Sequence, residues 1–134
     1  MVTDQSLVFK VYLAGGLASD WQHQIISASS NIEFLDPRTW QHPSPAVYTE
    51  RDLAAIRMSD AVFAFMSSAN PSGYGMSLEI GYAHALKKPI IFCDLLKEDW
   101  RRKYFGMAKV CATYFYEDVD LAIECLKKLG ETRR

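Results

Sequence analysis

The feature that most constrains the fold is the alternation of short apolar runs with longer amphipathic stretches. "VFKVYLA" (8–14) is rich in β-branched and aromatic residues and reads as a strand. "DAVFAFM" (60–66) is almost continuously apolar, the pattern of a strand buried on both faces. "IEFLD", "PIIFC" and "ATYFY" supply three further strand candidates. Between them lie helical patterns: "SDWQHQIISASS" with Ser19 or Asp20 as cap, "TERDLAAIRMS" with a cap at Thr49, and "MSLEIGYAHALKK". "KEDWRRKYFGMAK" reads as one more helix, and "DVDLAIECLKKLG" as a terminal helix stopped at Gly130. "PRTWQHPSPAVY" holds three of the five prolines and reads as a loop. Strand and helix in regular alternation predict an α/β fold, a parallel sheet with helices on both faces.

At 134 residues the chain suits a single domain spanning 1–134, and 49% hydrophobic content is enough for a core. A net charge of −1 with no basic stripe argues against a nucleic-acid partner. The N-terminal stretch carries an early acid and too short an apolar run for a secretory signal, and no segment of about 18 apolar residues exists to cross a membrane. Cys93, Cys111 and Cys125 are scattered, an odd set that reads as reduced thiols in the cytoplasm. Neither they nor His23, His42 and His84 show metal-ligand spacing, so neither a metal nor a cofactor is expected. The final "GETRR" reads as a frayed end.

Ligands of parallel sheets bind beyond the carboxyl ends of the strands. Three loops emerge there: "AGGLASD", "DPRTW" and "SSANPSGYG". In the first, Gly15 and Gly16 allow close backbone approach to a ligand, or simply form a tight turn. The full dinucleotide fingerprint is absent, as are a Walker loop and a nucleophile elbow. In the third, Gly73 and Gly75 permit turns that a side chain would block, just before a helix that carries Glu79. Glu79 is either a solvated acid favoured by the helix dipole or a carboxylate aimed into the cleft. Its flanks, Leu78 and Ile80, and the following Gly81, Ala83 and Ala85, suggest close packing of this helix on the sheet. Asp52 fits either a capping box after Thr49 or a ligand contact, whereas Asp60 falls at the far end of its strand. Arg38, next to Trp40, is either solvated or poised for an anion. Tyr12 is either core or a hydroxyl turned to the cleft.

Three segments in order, "VYLAGG", "ERDLAAIRMSDAVFAFM" and "SGYGMSLEIGYAHALKKPII", resemble the nucleoside 2-deoxyribosyltransferase family and its nucleotide N-glycosidase relatives over about residues 10–116. The resemblance implies a flavodoxin-like three-layer fold and a homo-oligomer. It implies a catalytic carboxylate at Glu79 that attacks the anomeric carbon of a nucleoside, as retaining glycosidases do. Tyr12 would then orient Glu79, and Asp52 would contact the nucleoside. Family transferases often carry an aspartate about six residues before the nucleophile, where it protonates or grips the leaving base; here Gly73 stands there, with Asn70 and Ser72 the nearest polar groups. That departure opens a second reading, hydrolysis of a nucleoside 5'-monophosphate with Ser19, Gly15, Gly16 and Arg38 around the phosphate. A third is a nucleotide sensor without turnover.

Overall fold

A computed structural model describes residues 8–132. The sheet has five parallel strands in the order β2-β1-β3-β4-β5. They are β1 (Phe9–Gly15), β2 (Ile32–Leu35), β3 (Ala61–Met66), β4 (Ile90–Asp94) and β5 (Tyr114–Tyr116). The helices are α1 (Trp21–Ser27), α2 (Pro45–Met58), α3 (Tyr74–Ala85), α4 (Asp99–Arg102), α5 (Gly106–Cys111) and α6 (Val119–Thr132). This is the flavodoxin-like, doubly wound arrangement. Among the described residues no helix is long and apolar enough to cross a membrane, and the cysteines are free thiols.

Side chains of a strand alternate between faces, and the chain uses both. Val11 and Leu13 of β1 join Phe63 of β3, Ile25 of α1 and Leu126 of α6 in one core layer. Tyr12 and Ala14 join Ala64 and Met66 of β3, with Ile56 of α2, Ile80 of α3 and Ala108 of α5, in the other. Every residue of β3 is buried, as its unbroken apolar run requires. Full burial of a side chain such as Phe63 contributes about 1.5–3 kcal/mol.

Several boundaries differ from the sequence reading. Helix α2 starts at Pro45, four residues before Thr49, with Ser44 as the N-cap residue. Proline is tolerated there because the first helical residue has no amide partner to lose. Thr49 is therefore interior, and Asp52 is not the acid of a capping box. The "KEDWRRKYFGMAK" stretch divides into α4, a 3-10 turn (Lys103–Phe105) and α5. Gly130 does not stop α6: it is buried inside the helix, where an added Cβ would lie 3.3 Å from Ile32. The "GETRR" reading is thus helical through Thr132, and its last two residues lie outside the described ones, as do residues 1–7.

Candidate active site

β1 and β3 are neighbours whose following helices pack on opposite faces of the sheet, so a crevice opens between their loops. The loops touch across it. A Cβ on Gly15 would lie 2.7 Å from the Phe65 carbonyl oxygen, and one on Gly16 would lie 2.9 Å from the Asn70 amide carbon. These two glycines allow one loop to lie against the other. The Gly16 carbonyl accepts from Trp21 Nε1 at 2.9 Å and Gln22 Nε2 at 3.1 Å, which pins the turn to the start of α1. Ser19, Gly16 and Asn70 line the shallow crevice that remains, which is too narrow for a water molecule. Asn70 is fixed from behind, because Arg101 donates to its carbonyl and Asn70 Oδ1 accepts from the Ser72 amide at 3.3 Å.

Glu79 lies in the second turn of α3, on the side facing the sheet end. The hydroxyl of Tyr12 donates to Glu79 Oε2 across 67 residues of sequence. Tyr12 is thus both core and site: its ring is fully buried in β1 and its hydroxyl reaches the carboxylate. Burial pushes the Glu79 carboxyl from its ordinary 4.5 up to about 8; the Tyr12 hydrogen bond pulls it down, and the charge of Asp52 pushes it up. The Tyr12 hydroxyl is itself held far above the usual phenol range, by burial first and then by Glu79. Asp52 is raised by burial too, against the pull of Trp40, whose Nε1 donates to Asp52 Oδ1 at 2.7 Å. β1, α2 and α3 thus bring Tyr12, Asp52 and Glu79 into one electrostatically coupled group.

The two glycines before α3 differ in kind. Gly73 has φ +82, and a Cβ there would meet the Phe105 ring at 2.7 Å and Met66 Sδ at 3.1 Å. Only glycine suits that backbone, and Phe105 occupies the space behind it. Gly75 has no atom within 4 Å of an added Cβ, and neither has Gly81. The expectation that Gly75 relieves a steric block therefore fails. So does close packing of Gly81 and Ala85 on the sheet: both face solvent, and Met76, Ile80 and Ala83 make the contact.

Arg38 stands in the 3-10 turn Pro37–Trp40 after β2, and its guanidinium is already paired. It donates to Asp36 from Nε at 3.0 Å and from Nη2 at 2.8 Å, and to Asp20 Oδ1 from Nη1 at 2.5 Å. Asp20 stands at the N-cap position of α1 but makes no side-chain cap hydrogen bond. Its pairing with Arg38, and that of Asp36 two residues before Arg38, escaped the sequence reading, as did Phe105, 32 residues after Gly73. A signal for Trp40 did exist: a tryptophan in a polar, proline-rich loop needs a partner for its indole N–H. Asp60 sits at the opposite end of the sheet, where it accepts from the Lys10 amide at 2.8 Å. No cluster of potential metal ligands occurs among the described residues.

The family model "Nucleoside 2-deoxyribosyltransferase like" matches residues 8–95. Among solved structures, a 2-deoxyribosyltransferase from the psychrotolerant bacterium Bacillus psychrosaccharolyticus is similar with a TM-score of 0.65 at 21% identity, covering 84% of this chain and 90% of that one. A 2-deoxyribosyltransferase from Leishmania mexicana has a TM-score of 0.55 at 21% identity over 65% of each chain. The CMP N-glycosidase of Clostridium botulinum has a TM-score of 0.57 at 21% identity, over 89% of this chain and 98% of that one. No curated protein matches significantly by sequence.

Proposed function

Because the chain belongs to the nucleoside 2-deoxyribosyltransferase-like family, we propose that it cleaves the N-glycosidic bond of a nucleoside through Glu79 and passes the sugar to another acceptor. The observation that carries this reading is the Tyr12–Glu79 hydrogen bond at the sheet's carboxyl end. A carboxylate oxygen of Glu79 attacks the anomeric carbon, and the carbon–nitrogen bond breaks with its electron pair leaving on the base. The departing base takes a proton from water. A second base or water then attacks the glycosyl ester and frees Glu79. Tyr12 fixes the rotamer of Glu79 and stabilises its ionised form, and Asp52, held by Trp40, contacts the sugar. Gly15, Gly16, Asn70, Ser72 and Gly73 supply backbone and small groups around the ring.

The pairing of Arg38 with Asp36 and Asp20 favours a nucleoside over a 5'-monophosphate. A phosphate dianion would have to displace two carboxylates, one of them buried, and the crevice at Ser19 has no room for it. A second reading concerns the acceptor. No side chain fits at Gly73, where the resemblance places an acid for the leaving base, so water is favoured over a second base as acceptor.

The test is a panel of deoxynucleosides, ribonucleosides and their 5'-monophosphates. Each is incubated with and without a free base, and released and exchanged base are read by chromatography with Glu79→Ala as control. Exchange lost in the variant supports transfer, and release without exchange supports hydrolysis. Faster turnover of monophosphates overturns the nucleoside preference. Binding without turnover throughout leaves a nucleotide sensor in place of an enzyme.

A further inference from the structure

The loop between β3 and α3, residues 67–73, has few bonds of its own. Inside it the Asn70 amide donates to the Ser67 carbonyl at 3.0 Å, the Ala69 amide reaches Ser67 Oγ at 3.4 Å, and the Ser72 amide uses Asn70 Oδ1. The carbonyls of Ser68 and Asn70 are taken by one side chain from a distant part of the chain. That side chain is Arg101, in α4. Its Nη1 donates to the Ser68 carbonyl at 3.4 Å and its Nη2 to the Asn70 carbonyl. A guanidinium carries its N–H groups in a rigid fork and can hold two carbonyls at once, a geometry that an ammonium does not reproduce. Glu98 adds a third point: its Oε2 accepts from Ser68 Oγ at 2.9 Å, and its Oε1 lies 3.8 Å from Arg101 Nη1. The Arg101 side chain is only 14% exposed, although the neighbouring Trp100 is turned to solvent.

The stretch that carries Arg101 is itself anchored at both ends. At one end the Leu95 amide donates to the Met66 carbonyl at 2.8 Å, and Leu96 is buried in the core. At the other end Phe105 is buried against Gly73. α4 thus ties a loop with little hold of its own to the core of the fold. The position of that loop matters, because Asn70 lies on Gly16 and so sets the width of the crevice between the two loops.

We propose that Arg101 is a positioning residue of the candidate site, holding the β3–α3 loop, and with it Asn70, Ser72 and Gly73, in the place that the sugar needs. Its consequence for turnover rests on the glycosyl-transfer reading of this site; the clamp on the loop does not. Arg101 touches the backbone of the loop, so it acts on a substrate through that loop. With the clamp cut, the loop takes up other positions, and a ligand must select the one that binds. A loop in place about a tenth of the time raises KM about tenfold. Loss of folded protein alone lowers the active fraction and leaves KM where it was.

Hydrogen exchange of the full chain, read by mass spectrometry of its peptides, tests the clamp, and KM for base release tests its consequence. The variants are Arg101→Ala and Arg101→Lys. Arg102→Ala is the control, because that guanidinium pairs with Glu117 instead. In Arg101→Ala the peptide spanning 67–73 is expected to exchange about tenfold faster, with the peptides of β1 and β4 unchanged and KM raised about tenfold. Arg101→Lys falls between, since an ammonium keeps one carbonyl, and the control matches the wild type. Loop exchange at the wild-type rate in a folded Arg101→Ala overturns the inference. So does faster exchange with an unchanged KM. A wild type that releases no base sinks the glycosyl-transfer reading instead, and then the exchange rate and the nucleoside affinity, read by calorimetry, decide the clamp. Where Arg101→Ala fails to fold, Arg101→Lys and Glu98→Ala carry the same comparison, and wild-type exchange in both overturns the inference.

Discussion

Replacing Tyr12 by phenylalanine isolates one hydroxyl. The ring is fully buried in β1, and phenylalanine keeps its packing. What is lost is the hydrogen bond to Glu79 Oε2, which lowers the Glu79 carboxyl. A hydrogen bond to a charged group contributes about 1.5–3 kcal/mol. At about 1.4 kcal/mol per pKa unit, that is a rise of about one to two units. Glu79 starts near 8, so the acid limb of kcat/KM moves from about 8 to about 9–10. At neutral pH the variant is slowed by about ten- to a hundredfold, and raising the pH recovers much of the loss. The assay is base release from the preferred nucleoside across pH, with carboxyl NMR of labelled glutamate as a direct check on the titration. A limb that stays in place, or moves to lower pH, refutes the reasoning.

Other consequences follow from the same geometry. The folded chain holds the Glu79 proton up to about 8, whereas the unfolded chain releases it near 4.5, so this group's contribution to stability is lost as pH rises through that window. Glu79→Gln should therefore gain on the wild type by about 2–4 kcal/mol between pH 5 and pH 8 in urea denaturation, and parallel curves would contradict this. Gly73→Ala forces a side chain into a left-handed backbone against Phe105 and is expected to cost about 2–4 kcal/mol by thermal melting, whereas Gly75→Ala, in open space, is neutral or stabilising. Trp40→Phe removes the indole donor from Asp52 and should raise KM more than it lowers kcat, by about tenfold. Arg38→Ala leaves buried Asp36 without its cation and should destabilise the protein by about 1–3 kcal/mol; an unchanged ratio of nucleoside to monophosphate turnover would agree with a bracing role, and a selective loss on monophosphates would not.

The strand runs and α3 were legible because burial imposes local periodicity, and "VFKVYLA" and "DAVFAFM" both became central strands. Prolines misled where their positional meaning differs: Pro43 precedes a helix, and Pro45 starts it. Gly130 resembled a helix stop, yet it lies inside α6, where an added Cβ would be 3.3 Å from Ile32. Within the site, Glu79 stood out as an acid in an apolar helix, and Tyr12 as a hydroxyl in a core strand. The pairings were not legible. Arg38 with Asp20 and Phe105 behind Gly73 join segments far apart in sequence, and Arg38 with Asp36 and Trp40 with Asp52, though near in sequence, depend on the turn after β2 and on how α2 follows it.

The central claim is that Glu79 forms a covalent bond to the sugar. Fluorine at C2' destabilises the oxocarbenium-like transition states of both capture and release, so a fluorinated nucleoside with a good leaving base keeps capture fast relative to release and lets the glycosyl-enzyme accumulate. Intact-mass spectrometry after incubation, followed by peptide mapping, reads the adduct directly. The account predicts one glycosyl group on the peptide that contains Glu79, absent in Glu79→Ala. Base release without any adduct, and undiminished in Glu79→Ala, would contradict it.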